Sequence, residues 1–172
     1  MKASKAKLQN ATSKKKQMYN NILFEDGFAL ATNGGIIVAN DLKEYLLLSN
    51  EQCKALNGKS ITGNNFKYVL NAHSLEINYD GIVCIGKKGG SILIPFVPNN
   101  SLVFKSVTLE KTSDTFENVK IKINPRCLKN IIESMHLVDY MVFNVSSNGR
   151  IIKITDSNER NKSFAIISNT IS

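Results

Sequence analysis

The sequence predicts an α+β protein built from copies of one βαβββ module. Three observations carry this expectation. A short apolar strand, a one-faced helix and three further strands occur in that order twice. The strands alternate apolar and polar residues with the two-residue period of a half-buried sheet. Asp-Gly and Asn-Gly pairs between them are hairpin signals, which favours antiparallel neighbours.

Residues 1–20 are polar with scattered Ala and Leu, compatible with a short helix but lacking a strong apolar stripe. Ile22–Phe24 runs into the turn Glu25-Asp26-Gly27. Phe28–Thr32 follows, Asn33-Gly34-Gly35 turns the chain again, and Ile36–Ala39 completes a three-strand meander. The meander looks like the end of a βαβββ unit without its opening strand. Asp41–Leu56 reads as a connection in which Asp41 caps a short helix containing Tyr45, Leu46 and Leu47. The first full unit is Lys59–Ile61, a helix near Asn64–Ala72, then Leu75–Tyr79, Ile82–Gly86 and Ser91–Phe96. Its helix turns Phe66, Val69 and Leu70 to one side and Asn65, Lys67, Tyr68 and Asn71 to the other. Pro95 assigns the last strand to an edge or a bulge, and an exposed edge is where another subunit can add its sheet.

The second unit is Val119–Ile123, a helix near Pro125–Met135, then Tyr140–Val145, Arg150–Thr155 and Phe164–Ser168. Asn124 is a good N-cap and Pro125 suits the first helical position. Leu128, Ile131, Ile132 and Met135 make its apolar stripe, opposite Arg126, Lys129, Asn130 and Glu133. Between the units, Pro98–Glu117 is rich in Asn, Ser, Thr and Lys, with an alternating stretch at Leu102–Leu109.

The 172 residues, 42% hydrophobic, suffice for one domain or two small ones with a core. No apolar run approaches the roughly 18 residues of a membrane span. Met1–Lys16 lacks the apolar stretch of a secretory signal. Three separated cysteines, Cys53, Cys84 and Cys127, fit unpaired thiols in a reducing cytoplasm. The net charge is +8, and six lysines (Lys2, Lys5, Lys7, Lys14, Lys15, Lys16) precede the first acid. That leaves 16 of the 22 basic side chains against all 14 acids. Such an arm attracts polyanions by counterion release. A frayed, solvated terminus accounts for it equally well.

The run Ile22–Gly34 resembles the strand–turn–strand of bacterial DNA polymerase sliding clamps (the β subunit), with Asn33 where that pattern usually has Asp. Ile123-Asn124-Pro125-Arg126-Cys127-Leu128-Lys129 resembles the clamp's strand-to-helix entry, and Ser163–Ile171 is similar to its closing strand. The resemblance covers about Tyr19 to the C-terminus and looks most like short clamp-like proteins of phages and mobile elements. It implies a DNA clamp-like fold, with sheets outside and helices lining a hole. It also implies a homo-oligomer around duplex DNA, a DNA polymerase or clamp loader as partner, and neither membrane nor cofactor. On this reading residues 1–18 are a basic arm and 19–97 a clamp-like domain of two half-units. Residues 98–117 are a linker or edge strand, and 118–172 a third half-unit. The DNA-facing candidates are Lys67 and Asn71, then Arg126, Lys129 and Asn130, with Lys14, Lys15 and Lys16 from the arm. The chain departs from the family in having about three half-units rather than six. Its end, Ser168–Ser172, does not match the residues that form the family's partner-peptide groove. The same fold without ring closure, as an accessory or protein-interaction module, is the alternative.

No residue pattern favours an enzyme. His73 and His136 each follow a helix, where its dipole favours a cation. Metal-ligand spacing is lacking, so no metal is expected. Gly86-Lys87-Lys88-Gly89-Gly90 reads as a hairpin turn rather than a phosphate loop. Glu25/Asp26 and Asp156/Glu159 read as turn formers. Cys127 is assigned to packing, although the first turn of a helix can lower a thiol's pKa. Tyr68, Tyr79 and Tyr140 are able to stack on bases, but core or cross-strand roles are favoured.

Overall fold

A computed structural model describes residues 6–13, 15–98, 123–137, 139–146 and 151–168. Among these, the chain is mixed α+β and mostly sheet. β1 (Asn21–Glu25), β2 (Phe28–Thr32) and β3 (Ile36–Asp41) form the expected meander. Asp26 and Gly27 take the left-handed backbone, φ 50° and 82°, that a two-residue hairpin turn requires. α1 (Leu42–Tyr45) is capped by the Asp41 carboxylate, which accepts from the Lys43 and Glu44 N–H groups. α2 (Asn50–Leu56) is a second helix inside the segment expected to be a connection with one short helix, at Tyr45, Leu46 and Leu47. Its local signal is a capping box between Ser49 and Gln52.

β4 (Lys59–Thr62), α3 (Gly63–Asn71), β5 (Ser74–Ile77), β6 (Gly81–Ile85) and β7 (Ser91–Pro95) follow in the anticipated order. α4 (Pro125–Ser134), β8 (Met141–Val145), β9 (Ile151–Asp156) and β10 (Phe164–Ser168) complete the described chain. The strands expected at Leu102–Leu109 and over 119–122 lie outside the described residues, as does the Ser147-Asn148-Gly149 turn.

Among the described residues all pairings are antiparallel, in a seven-stranded sheet ordered β4-β1-β2-β3-β10-β9-β8 and a three-stranded sheet β5-β6-β7. β4 therefore does not join the strands that follow it; it pairs with β1. The C-terminal strands extend the first meander through β3–β10. β7 ends at Pro95 and pairs only with β6 among the described residues, as an edge strand must when it carries a proline.

One face of the large sheet carries a cross-strand row, Ile61–Ile22–Ala31–Val38–Ala165–Ile154, each member fully buried. Phe66 and Val69 of α3 and Ile131 of α4 pack into this core. So do Leu8 and Ala11, from a short 3-10 helix at Leu8–Ala11. This corrects the expectation of a separate arm. Leu8 and Ala11 have no solvent exposure, and the 3-10 helix packs against α3, α4, β2 and β3. Two apolar residues at i and i+3 provide one buried face for a single turn, too short a pattern to register as a stripe.

Candidate nucleic-acid interface

α3, the Leu8–Ala11 turn and α4 share the helical side of the large sheet. The N-terminal segment is tied into it at several points. The Tyr45 hydroxyl donates to the Ala6 carbonyl (2.6 Å) and lies 3.4 Å from the Leu8 nitrogen, which donates to it. Burial of this phenol pushes its pKa well above the tyrosine range. The Lys7 N–H donates to the Glu133 carbonyl at 2.7 Å, and the Asn10 amide donates to the Glu133 carboxylate at 2.9 Å. The Gly63 N–H, at the start of α3, donates to the Asn20 carbonyl at 2.7 Å. A methyl group on Gly63 would sit 2.9 Å from Thr12 Oγ1, so α3 and the N-terminal segment approach closely there.

This assembly concentrates charge. Residues 1–20, α3 and α4 hold nine of the 22 basic side chains and one of the 14 acids, which is the whole net charge of +8. The remaining residues balance at 13 of each sign. Of the described cations in these segments, Lys7, Lys15, Lys16, Lys67, Arg126 and Lys129 are all exposed. Exposed cations on neighbouring segments attract phosphate groups.

The expected contact residues differ in how available they are. Lys67 and Asn71 are exposed on α3, and the Lys67 ammonium lies 4.8 Å from the Tyr68 ring centroid. Arg126 is exposed in the first turn of α4, where its N–H donates to the Asn124 cap. Lys129 is exposed but lies 3.8 Å from Glu133, a solvent-screened pair that offsets part of its charge. Asn130 is half-buried. Lys15 and Lys16 are exposed in a loop closed by the Ser13 N–H donating to the Tyr19 carbonyl. Lys14 lies outside the described residues.

Several side chains depart from expectation. Ile132 is 53% exposed, because Ile131, Ser134 and Met135 take the inward directions of α4. Tyr79 and Tyr140 are exposed rather than in the core: Tyr79 occupies the β5–β6 turn and Tyr140 lies just before β8, while Tyr68 is exposed on the outer side of α3 as its position in the helix predicts. His136 is not the cation its helix end suggested. Burial holds its imidazole below the usual histidine value, against the pull of Glu44, Asp156 and Asp41. Its Nδ1 is buried without a hydrogen-bond partner, and its ring lies 5.9 Å from that of Tyr45. Asp156 is more than a turn former. It is buried and accepts from the Asn158 and Asp139 N–H groups and the Asn161 amide. Gly86–Gly90 is the hairpin turn between β6 and β7, with Gly89 at φ 87°. Cys53 and Cys84 are buried, which raises their thiol pKa values, while Cys127 packs half-buried against the core.

Among the described residues no cluster of three His, Cys, Asp or Glu side chains has the arrangement of a metal site. No described helix is long and apolar enough to cross a membrane. No protein-family model, curated protein or solved structure matches the chain.

Proposed function

We propose that this protein is a cytoplasmic, non-catalytic DNA-binding factor of the sliding-clamp type, acting as a homo-oligomer on duplex DNA. In this reading the helical side faces the phosphates, and Lys7, Lys15, Lys16, Lys67, Arg126 and Lys129 make sequence-independent contacts. Such contacts hold the duplex while letting it slide. A polymerase or loader bound to the same protein then gains effective concentration at the template. The observation that carries the proposal is that the described parts of the N-terminal segment, α3 and α4 present six exposed cations against the single acid Glu133.

Copies would join through sheet edges, and β7 and β8 each have one side unpaired among the described residues. A non-ring accessory module is the second reading. It is favoured by the β4 edge, where the Val97 N–H already donates to the Ser60 carbonyl.

The test is duplex binding at several salt concentrations, with molar mass by light scattering alongside. Lys67→Glu with Lys129→Glu should weaken binding at low salt and reduce the magnitude of the log–log salt slope by about one for each phosphate no longer neutralised. Wild-type affinity and slope in the double variant would overturn the assignment of the helical side. A strict monomer would leave the accessory module standing and remove the ring.

A further inference from the structure

Beside the basic side is a second feature of different chemistry. Lys59 lies on β4 opposite Phe24, and therefore on the same sheet face as the helices. Its ammonium sits 5.6 Å from the Tyr79 ring centroid and 5.5 Å from that of Phe96. Tyr79 is 90% exposed, at the tip of the β5–β6 turn. The turn is tied back to the residues just past β7 by the Phe96 N–H donating to the Asp80 carbonyl, 2.9 Å. The next residue, Val97, bonds to β4. The aromatic ring is thus presented on an anchored turn, with the Lys59 ammonium over one face and most of the residue in water. The neighbouring α3 repeats the pairing, with Lys67 over the exposed Tyr68 ring.

We propose that Tyr79, with Lys59 and Phe96, is a stacking platform for an unpaired nucleobase, and that the protein binds single-stranded nucleic acid there. The chemistry is that of single-strand binders generally. A flat aromatic face accepts any base, and an adjacent cation meets the flanking phosphate. A paired base in a duplex has no free face to offer, so this contact is specific for the single strand. The proposal rests on the polyanion-binding reading of the adjacent helical side, which would hold the backbone on either side of the stacked base.

The experiment is fluorescence anisotropy of labelled oligo(dT), oligo(U) of the same length and a duplex, at low salt, with the full chain. Tyr79→Ala should weaken oligo(dT) binding on the order of tenfold, given the typical contribution of one base–aromatic stack. Tyr79→Phe should retain it, and duplex binding should stay unchanged in both. Equal losses for oligo(dT) and oligo(U) identify the base as the recognised group, whichever sugar carries it. Oligo(dT) affinity unchanged in Tyr79→Ala would overturn this proposal alone, as would an equal loss in Tyr79→Phe. Wild-type protein that binds none of the three probes would overturn both this proposal and the reading beneath it.

Discussion

Leu8→Ala tests whether the N-terminal segment is part of the core. The Leu8 side chain is fully buried among residues of the sheet and of α3 and α4. The Lys7 and Leu8 backbone bonds survive the substitution, so the loss is one of packing. Removing the side chain of a buried leucine costs about 2–5 kcal/mol, the spread depending on how far the site collapses. A value near 3 kcal/mol is expected, which lowers Tm by about 6–12 °C in a chain of this size. Urea denaturation should show the midpoint falling with little change in m. Lys15→Ala with Lys16→Ala, both exposed, should stay within about 0.5 kcal/mol of wild type. A Leu8→Ala protein as stable as wild type would refute the reasoning and restore a free arm. The point bears on function. Deleting residues 1–16 removes Leu8 and Ala11 together with the lysines, so a loss of DNA binding would not isolate the charges. Charge substitution does.

Gly81→Ala should be strongly destabilising, because a methyl group there would run into the Ile94 carbonyl and approach Pro95 Cα to 3.0 Å across the β6–β7 pair. Differential scanning fluorimetry checks it, and an unchanged Tm would mean that these strands are set further apart. His136 predicts a stability loss on acidification. Its folded pKa lies below the ordinary value of 6.5. Above that value both states are neutral and nothing changes. As pH falls below it, the unfolded chain takes up the proton first and stability drops, until the folded pKa is passed. His136→Gln should flatten the stability profile between about pH 7 and 5. A profile identical to wild type would show that His136 titrates normally.

The local elements are legible because their signals are local. Asp26-Gly27 enforces a hairpin, Asn124-Pro125 starts a helix, and Phe66, Val69 and Leu70 define which side of α3 goes inward. The basic and polar residues on the outer sides of α3 and α4 are legible for the same reason. Ile132 is not, because both it and Ile131 satisfy a 3.6-residue pattern, and only the packing of Met135 and Ser134 decides which faces in. Tyr79 and Tyr140 escape the pattern because strand propensity does not distinguish a strand from the turn beside it. Tyr79 falls two residues beyond the end of β5, in the turn.

Sequence alone determined the mixed α+β class, the order of most described strands and helices, and the surplus of basic charge, since each follows from residue spacing or counting. Tertiary structure alone decided that β4 pairs backward with β1, that β10 closes on β3, and that Leu8 and Ala11 dock beside α3 and α4. These are contacts between residues far apart in the chain. Backbone hydrogen bonding satisfies any antiparallel neighbour equally. The choice among neighbours falls to the shared burial of Ile61, Ile22, Val38 and Ala165 in one row.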